Sequence, residues 1–597
     1  MAFTCRQNPI PMRPFFPILA GTLLFSTTST AQNLTTSWGG GMGSTGSDIG
    51  TGIVLDATGH IYTTGNFAGT MDADPGPGVT DLVSEGSSDI YVSKFDTSGN
   101  LVWARAMGGA YGDGANAIAV DASGNVYTTG GFCGTADFDP GAGSFTLTAA
   151  TTGQNDIFVS KLDPDGNFIW AKGVVGGTWW DAGYGIAVDP TGNVVITGRF
   201  YHQGGPRDFD PGPATFFLTA GHEDIFVLKL DQDGDFVWAV NFGSATDESR
   251  AYAIAMDEDG NIFITGYFRG TVDFDAGPGT FNMTSVGTWN VFYLKLDPNA
   301  NLAWVKSLPI TTTTYHNEGL WGRKIAIDAN GDLLTTGRYG GTIDFDPGTG
   351  THELISTGAY DLFVAMYTNA GELVWAKSMG GTGHDEGFGI TAGPDGSVLV
   401  AGTFQAMADF DPGTDTLEMV SMGDDDTFIL RLDGNGDLMH AASMGGAGND
   451  RGQALAVSGT GGIYLTGRFE GSTDLDPGSG VLNAESAGSH DAFLVKLIES
   501  DGTGIADHAA FGGAGISIYP NPANERVNLS LGASMAGAAA EIELLDATGK
   551  CVHAEEVPAP AAHVAMELPA SLREGMYLVR LRMAGQEPRS ARIIIQR

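Results

Sequence analysis

At 597 residues and a formal charge of −41, the chain is too long for one ordinary hydrophobic core and too acidic to hold nucleic acid or an anionic membrane by charge. Glycine supplies 90 residues, and Val, Ile, Phe, Tyr and Thr recur in short runs between the glycines, the composition of many short strands joined by turns. No segment beyond the N-terminus keeps a 3.6-residue apolar period, so helix is expected to be scarce.

Residues 1–31 hold Arg6 and Arg13, an apolar segment from Phe15 to Phe25, and Ser29-Thr-Ala31 before Gln32, which predicts a cleaved signal peptide. The apolar run is too short to span a bilayer and contains Pro17, and no later segment reaches spanning length. No transmembrane segment is therefore expected after cleavage. Cys133 and Cys551 remain, in different predicted domains, so no disulfide is expected.

From 32 to 498 the chain repeats. The motif Asp-x-Asp-(Pro/Ala)-Gly begins at Asp72, Asp137, Asp208, Asp273, Asp344, Asp409 and Asp474, at intervals of 65 or 71 residues. Each copy sits in a unit of one order, shown by the second: AIAVDASGNVYTTG from Ala117, GTADFDPGAGSFTLT from Gly134, DIFVSKLD from Asp156 and NFIWAKGV from Asn167. Short Gly-containing turns join the first two strands and the last two, as antiparallel hairpins require. A four-stranded meander repeated seven times predicts an all-β, seven-bladed β-propeller. Six units finish in an outer strand such as LVWARAM at Leu101, whereas the seventh stops after DAFLVKLI at Asp491. The matching strand lies at Leu34-Thr-Thr-Ser-Trp38, so the N-terminal strand is expected to complete the last blade and leave no open edge.

The D-x-x-G-N-(V/I)-Y-x-T-G core and the F-V-x-K-L-D strand resemble the bacterial SBBP-type seven-bladed propeller repeat over roughly residues 33–498. That resemblance implies the fold and is silent on activity. Residues 499–515, ESDGTGIADHAAFGGAG, read as a linker. Residues 516–597 carry Tyr519-Pro-Asn-Pro522, Asp546-Ala-Thr-Gly-Lys550, Gly575-Met-Tyr577 and the terminal IIIQR. These blocks resemble the type IX secretion C-terminal sorting domain of Bacteroidota, a small β-sandwich. The resemblance implies contact with the type IX machinery, passage across the outer membrane, and a secreted or cell-surface location.

In a propeller the loops after strands two and four share one face, which here receives every Asp-x-Asp motif and the inter-unit Asp48, Asp113, Asp181, Asp247, Asp385 and Asp450. The pairs Asp72 and Asp74, Asp137 and Asp139, Asp208 and Asp210, Asp273 and Asp275, Asp344 and Asp346, Asp409 and Asp411, and Asp474 and Asp476 offer the oxygen chemistry that suits Ca²⁺. The competing reading is that each Asp caps its own turn on nearby backbone N–H groups. Specific function is expected where the repeat breaks: Trp179 and Trp180, Tyr201 and His202 through Arg207, and Thr311 through Tyr315 and His316 to Trp321. Flat amphipathic rings of this kind stack on sugars or partner side chains, or else pack under longer loops. Arg199, Arg338 and Arg468 share one repeat position and suit a sugar carboxylate, unless each pairs with the Asp-x-Asp carboxylates of its own unit. The Asp96, Asp163 and Asp231 turns only loosely resemble a sialidase Asp-box, and no nucleophile with its base is recognisable. The expected function is a non-catalytic module that binds a glycan or protein on the loop-rich face, with Ca²⁺ stiffening the loops. The alternatives are a carbohydrate-active enzyme of sialidase or lyase type and a structural surface-layer component.

Overall fold

The computed structural model describes residues 33–286, 289–308, 310–312, 320–478 and 480–500, and mainly strand residues between 516 and 595. The predicted signal peptide, nearly all of the linker, and Tyr315 and His316 lie outside the described residues. Every regular element described is a strand. In the second unit the strands Gly114–Val120, Val126–Cys133, Asn155–Leu162 and Phe168–Val174 pair in chain order as an antiparallel meander. The other repeats follow the same order, so the architecture is all-β and propeller-like.

The Asp-x-Asp segment adds a short hairpin that the sequence pattern had not marked as strand. Thr135–Asp137 pairs with Thr146–Thr148, and Ala136 also pairs with Gly109 at the end of the preceding unit's outer strand, Leu101–Gly109. Glycine is required there, because a Cβ on Gly109 would stand 2.1 Å from the Thr135 carbonyl oxygen. The middle residue of the motif faces inward by the two-residue period of a strand: Phe138, Phe209, Phe274, Phe345 and Phe410 are all fully buried.

Outer-strand tryptophans bind successive units, with His440 at the same place in the sixth. Trp103 Nε1 donates to the Pro164 carbonyl at 3.0 Å, Trp170 to Gln232 at 3.1 Å and Trp375 to Gly434 at 3.0 Å. The turn residue over the indole is a glycine in most units, and Ala300 takes the same left-handed position, φ +65°, beside Trp238. Gly166 has φ +76° and its Cβ would lie 2.9 Å from Trp103, so both backbone and space exclude a side chain.

At the N-terminus, Asn33–Met42 pairs antiparallel with Asp491–Ser500, with Trp38 opposite Lys496 and Gly41 opposite Phe493. The inner strand Ile49–Leu55 lies against both Gly114–Val120 and Arg451–Val457. Beyond 515 the described strands form one three-stranded and one four-stranded antiparallel sheet.

Leu34 is 2% exposed, in a cluster with Phe469 and Leu497. Leu34→Ala is expected to cost about 3 kcal/mol in urea unfolding, the price of a core leucine. A loss below about 0.5 kcal/mol, the range of surface substitutions, would mean that this strand frays.

Candidate ligand-binding site

Each inner strand carries one bulged residue, where register slips between two small or flanking positions: Gly50 and Gly52, Ala115 and Ala117, Gly183 and Gly185, Ala251 and Ala253, Gly322 and Lys324, Gly387 and Gly389, Gly452 and Ala454. The small residues are forced by packing between inner strands. A Cβ on Gly50 would lie 2.1 Å from Thr466 Oγ1, on Gly183 2.2 Å from Thr129 Oγ1, and on Gly387 2.1 Å from Thr336 Oγ1. The bulged residues are Thr51, Asn116 and Gln453 in the first, second and seventh units, and Tyr184, Tyr252, Arg323 and Phe388 in the third to sixth. Bulges re-aim side chains and concentrate at functional sites. Sequence reasoning missed this set; its signal is the small-x-small triplet at the start of each inner strand, as in GYG, AYA and GFG.

Around the bulges of units three to six, arginines and rings interleave. Arg250 Nε lies 2.8 Å from Glu223 Oε1 and Arg199 Nη1 lies 3.5 Å from the same oxygen. Glu386 takes Arg323 through Oε1 and Arg338 Nη1 through Oε2, the latter at 3.2 Å. Arg323 and Arg338 stand 4.4 and 4.5 Å from the Trp321 ring centre. Tyr252 packs 5.7 Å from Tyr184 and 6.1 Å from Trp321, with the latter planes 23° apart. Two carboxylates thus serve four guanidinium groups, a local positive excess among the described residues.

The predicted candidates divide. Trp179 and Trp180 are 49% and 56% exposed, and Trp179 packs 5.5 Å from Tyr201. Arg199 Nε donates to the Trp180 carbonyl at 3.2 Å, joining that pair to the cluster. His202 packs against His222 at 5.5 Å. Arg207 is a correction: it is fully buried, bound to Asp181 Oδ2 at 3.0 Å and donating to the carbonyls of Tyr201, Gln203 and Gly205. Its charge fixes the loop from inside and is out of reach of a ligand. Arg199 and Arg338 reach Glu223 and Glu386 rather than the Asp-x-Asp carboxylates expected for them, and Arg468 lies opposite Arg451, whose Nη2 binds Asp425 at 2.5 Å.

The Asp-x-Asp pairs cap their own turns. Asp137 Oδ1 accepts from the N–H groups of Asp139 at 3.0 Å and Phe145 at 2.8 Å, and Asp139 Oδ1 from Gly141 at 2.8 Å. The same three bonds form at Asp72 and Asp74, Asp208 and Asp210, Asp273 and Asp275, Asp344 and Asp346, Asp409 and Asp411, and Asp474 and Asp476. Among the described residues, no group of three or more His, Cys, Asp or Glu side chains is arranged to hold a metal ion. Because the turns hold themselves, the melting temperature is expected to be the same in Ca²⁺ and in chelator. A rise of several degrees with Ca²⁺ would show that the motif takes the cation in its folded state.

Most of the inter-unit aspartates, expected on the ligand face, are buried staples. Asp113 accepts from Gly109 N–H and Cys133 N–H, both at 2.8 Å, and Asp450 from Gly446 at 2.6 Å and Glu470 at 3.1 Å. Each faces a second buried carboxyl: a Cβ on Gly380 would lie 2.8 Å from both Asp385 Oδ2 and Asp361 Cγ. Burial pushes Asp113 and Asp385 up to about 7 and Asp89, Asp426 and Asp450 up to about 6. At Asp113 the Asp89 charge adds to this, against the backbone donors.

In the unfolded chain these groups ionise near 3.8, so as pH rises the unfolded state gains charge first. Stability is therefore expected to fall between about pH 4 and pH 7, with a higher melting temperature at pH 5 than at pH 8. Asp113→Asn should flatten that slope, and a melting temperature that climbs with pH would contradict the assignment.

Residues 517–596 match the family model described as a secretion system C-terminal sorting domain. The chain is exported across the outer membrane by type IX secretion, to the cell surface or the medium. Among the described residues, no helix is long and apolar enough to cross a membrane. An uncharacterized WD repeat-containing protein of Acanthamoeba polyphaga mimivirus is 22% identical over 506 residues, which are 72% of this chain and 36% of that protein. A regulatory protein of Caulobacter vibrioides is 32% identical over 147 residues, 25% of this chain and 15% of its own. The chain therefore spans about a third of the first relative and less of the second. Among solved structures, an ulvan lyase, a polysaccharide lyase bound to -[GlcA(1-4)Rha3S]-, is 12% identical with a TM-score of 0.32, covering 74% of this chain and 92% of the lyase. Dimeric latent PorU from Porphyromonas gingivalis is 10% identical with a TM-score of 0.12, covering 62% of this chain and 31% of its own.

Proposed function

We propose that the exported chain is a non-catalytic binding module: a seven-bladed, SBBP-type bacterial propeller, residues 32–498, closed by its N-terminal strand and presenting a glycan- or protein-binding face. Residues 1–31 are then the signal peptide, 499–515 the linker, and 516–597 the tail that the type IX machinery engages. Closure is supported by contacts at the seam that repeat those between successive units. The parallel bridge of Ser88 with Gly112 has its counterpart in Ser47 with His490, and the pairing of Gly108 with Asp137 has its counterpart in Gly43 with Asp72. The Trp38 ring also sits over Gly99, the turn glycine of the first unit, as Trp103 sits over Gly166.

The observation that carries the binding reading is the arginine and aromatic cluster continuous with exposed Trp179 and Trp180. Exposed indoles with a polar rim are the usual anchors of recognition. Glu223 and Glu386, the acids within the cluster, are each committed to two arginines, which supports holding a ligand rather than transferring protons.

On a glycan array the exported chain is expected to retain ligand without releasing product. Trp179→Ala with Trp180→Ala should weaken retention about tenfold or more, within the range of two lost ring contacts. Product release that vanishes in Arg199→Ala, Arg338→Ala or Arg468→Ala would make the protein an enzyme. Self-assembly with no ligand at all would make it a surface-layer component.

A further inference from the structure

We infer that the bulged residues of units three to six form a site for an acidic saccharide, in which Arg250 and Arg323 bind the anionic substituent and Tyr252 and Trp321 stack on the sugar ring. This rests on the binding-module reading and names the ligand class of the same face.

The first step is a comparison within the repeat. Thr51 and Asn116 show what the bulged slot does for the fold: Thr51 Oγ1 donates to the Ala115 carbonyl at 2.8 Å, and Asn116 Nδ2 to the Gly183 carbonyl at 2.8 Å. Each ties one inner strand to the next with a small polar side chain. Tyr184, Tyr252, Arg323 and Phe388 occupy the same slot with bulk and charge that this structural task does not need.

The second step is electrostatic. In a chain of net charge −41, four arginines gather here around two carboxylates, one of them fully buried. One-to-one pairing would complete a purely structural network. The surplus of positive charge favours an anionic group over a neutral or cationic one.

The third step is geometric. The rings of Trp321, Tyr252 and Phe388 lie 4.4, 5.1 and 5.6 Å from the Arg323 guanidinium carbon, and the side chain keeps 21% of its surface exposed. A guanidinium packed among rings presents its donor edge, the edge that matches a carboxylate or sulfate in two parallel hydrogen bonds. Half-buried Tyr252 and Trp321 beside it offer flat faces to the apolar side of a sugar ring. An inorganic anion would use the arginines alone, and an acidic peptide would have no flat ring to lay on these faces.

Isothermal titration of the full exported chain tests this with oligogalacturonate, dextran sulfate, neutral dextran and polyglutamate. Binding of oligogalacturonate or dextran sulfate is expected, weakened about tenfold or more in Arg323→Gln, as for a lost charge-assisted pair, and unchanged in Asn116→Ala. The melting temperature of Arg323→Gln shows whether it folds. Should it not, quenching of tryptophan fluorescence in the unmodified protein by the acidic sugars and not by dextran is the equivalent supporting result. Binding of dextran equal to that of the acidic sugars, binding of polyglutamate equal to them, or acidic-sugar affinity untouched in folded Arg323→Gln would each overturn the inference. Neutral-glycan or protein binding without any acidic-sugar binding would overturn it and leave the binding module standing, whereas absence of every ligand would overturn both.

Discussion

The contact on which the rest depends is the outer-strand tryptophan seated on the turn of the following unit. It fixes three features at once: the indole, the left-handed residue beneath it, mostly glycine, and the carbonyl that accepts the indole N–H. Because one partner always belongs to the next repeat, no unit completes its own packing. That cross-unit dependence is what turns a string of meanders into one body.

A second layer of cross-unit bonding sits on the loop side. The short Asp-x-Asp hairpin reaches back to the preceding outer strand, and the inter-unit aspartates staple the start of each inner strand to both neighbouring loops. These carboxyls are nearly solvent-free, so they hold the loops at an electrostatic cost that grows with pH. The loop platform is thereby rigid enough for the arginine and ring cluster to be preorganised, with Arg207 pinning the loop from Tyr201 to Gly205 from within.

Much of the architecture was legible in the sequence, because its signals are local and repeated. Four strands per repeat follow from two-residue alternation between glycine turns, and the strand at Trp38 was recognisable by its likeness to the other tryptophan strands; the structure pairs it with Asp491–Ser500. The sorting tail was legible in its block order and is matched over 517–596. What was hidden depends on neighbours that loop and sheet geometry, rather than the repeat pattern, bring together. Arg207 looks like a surface arginine until Asp181 and three carbonyls are seen around it. Arg199 and Arg338 seem matched to the carboxylates nearest in sequence, yet Glu223 and Glu386 are the partners that the sheet geometry brings to them. The bulged slot is a single residue in a glycine-rich triplet, where periodicity alone predicts an unbroken strand.

A single loop-rich face to which every unit contributes exists only if the units form a ring. Hydrogen–deuterium exchange of the full exported chain tests that most directly. The closed ring predicts amides of Asn33–Met42 protected as strongly as those of Phe236–Phe242, an outer strand flanked by units on both sides. Rapid exchange confined to Asn33–Met42 and Asp491–Ser500 would reveal an open stack with free ends and contradict the closed propeller.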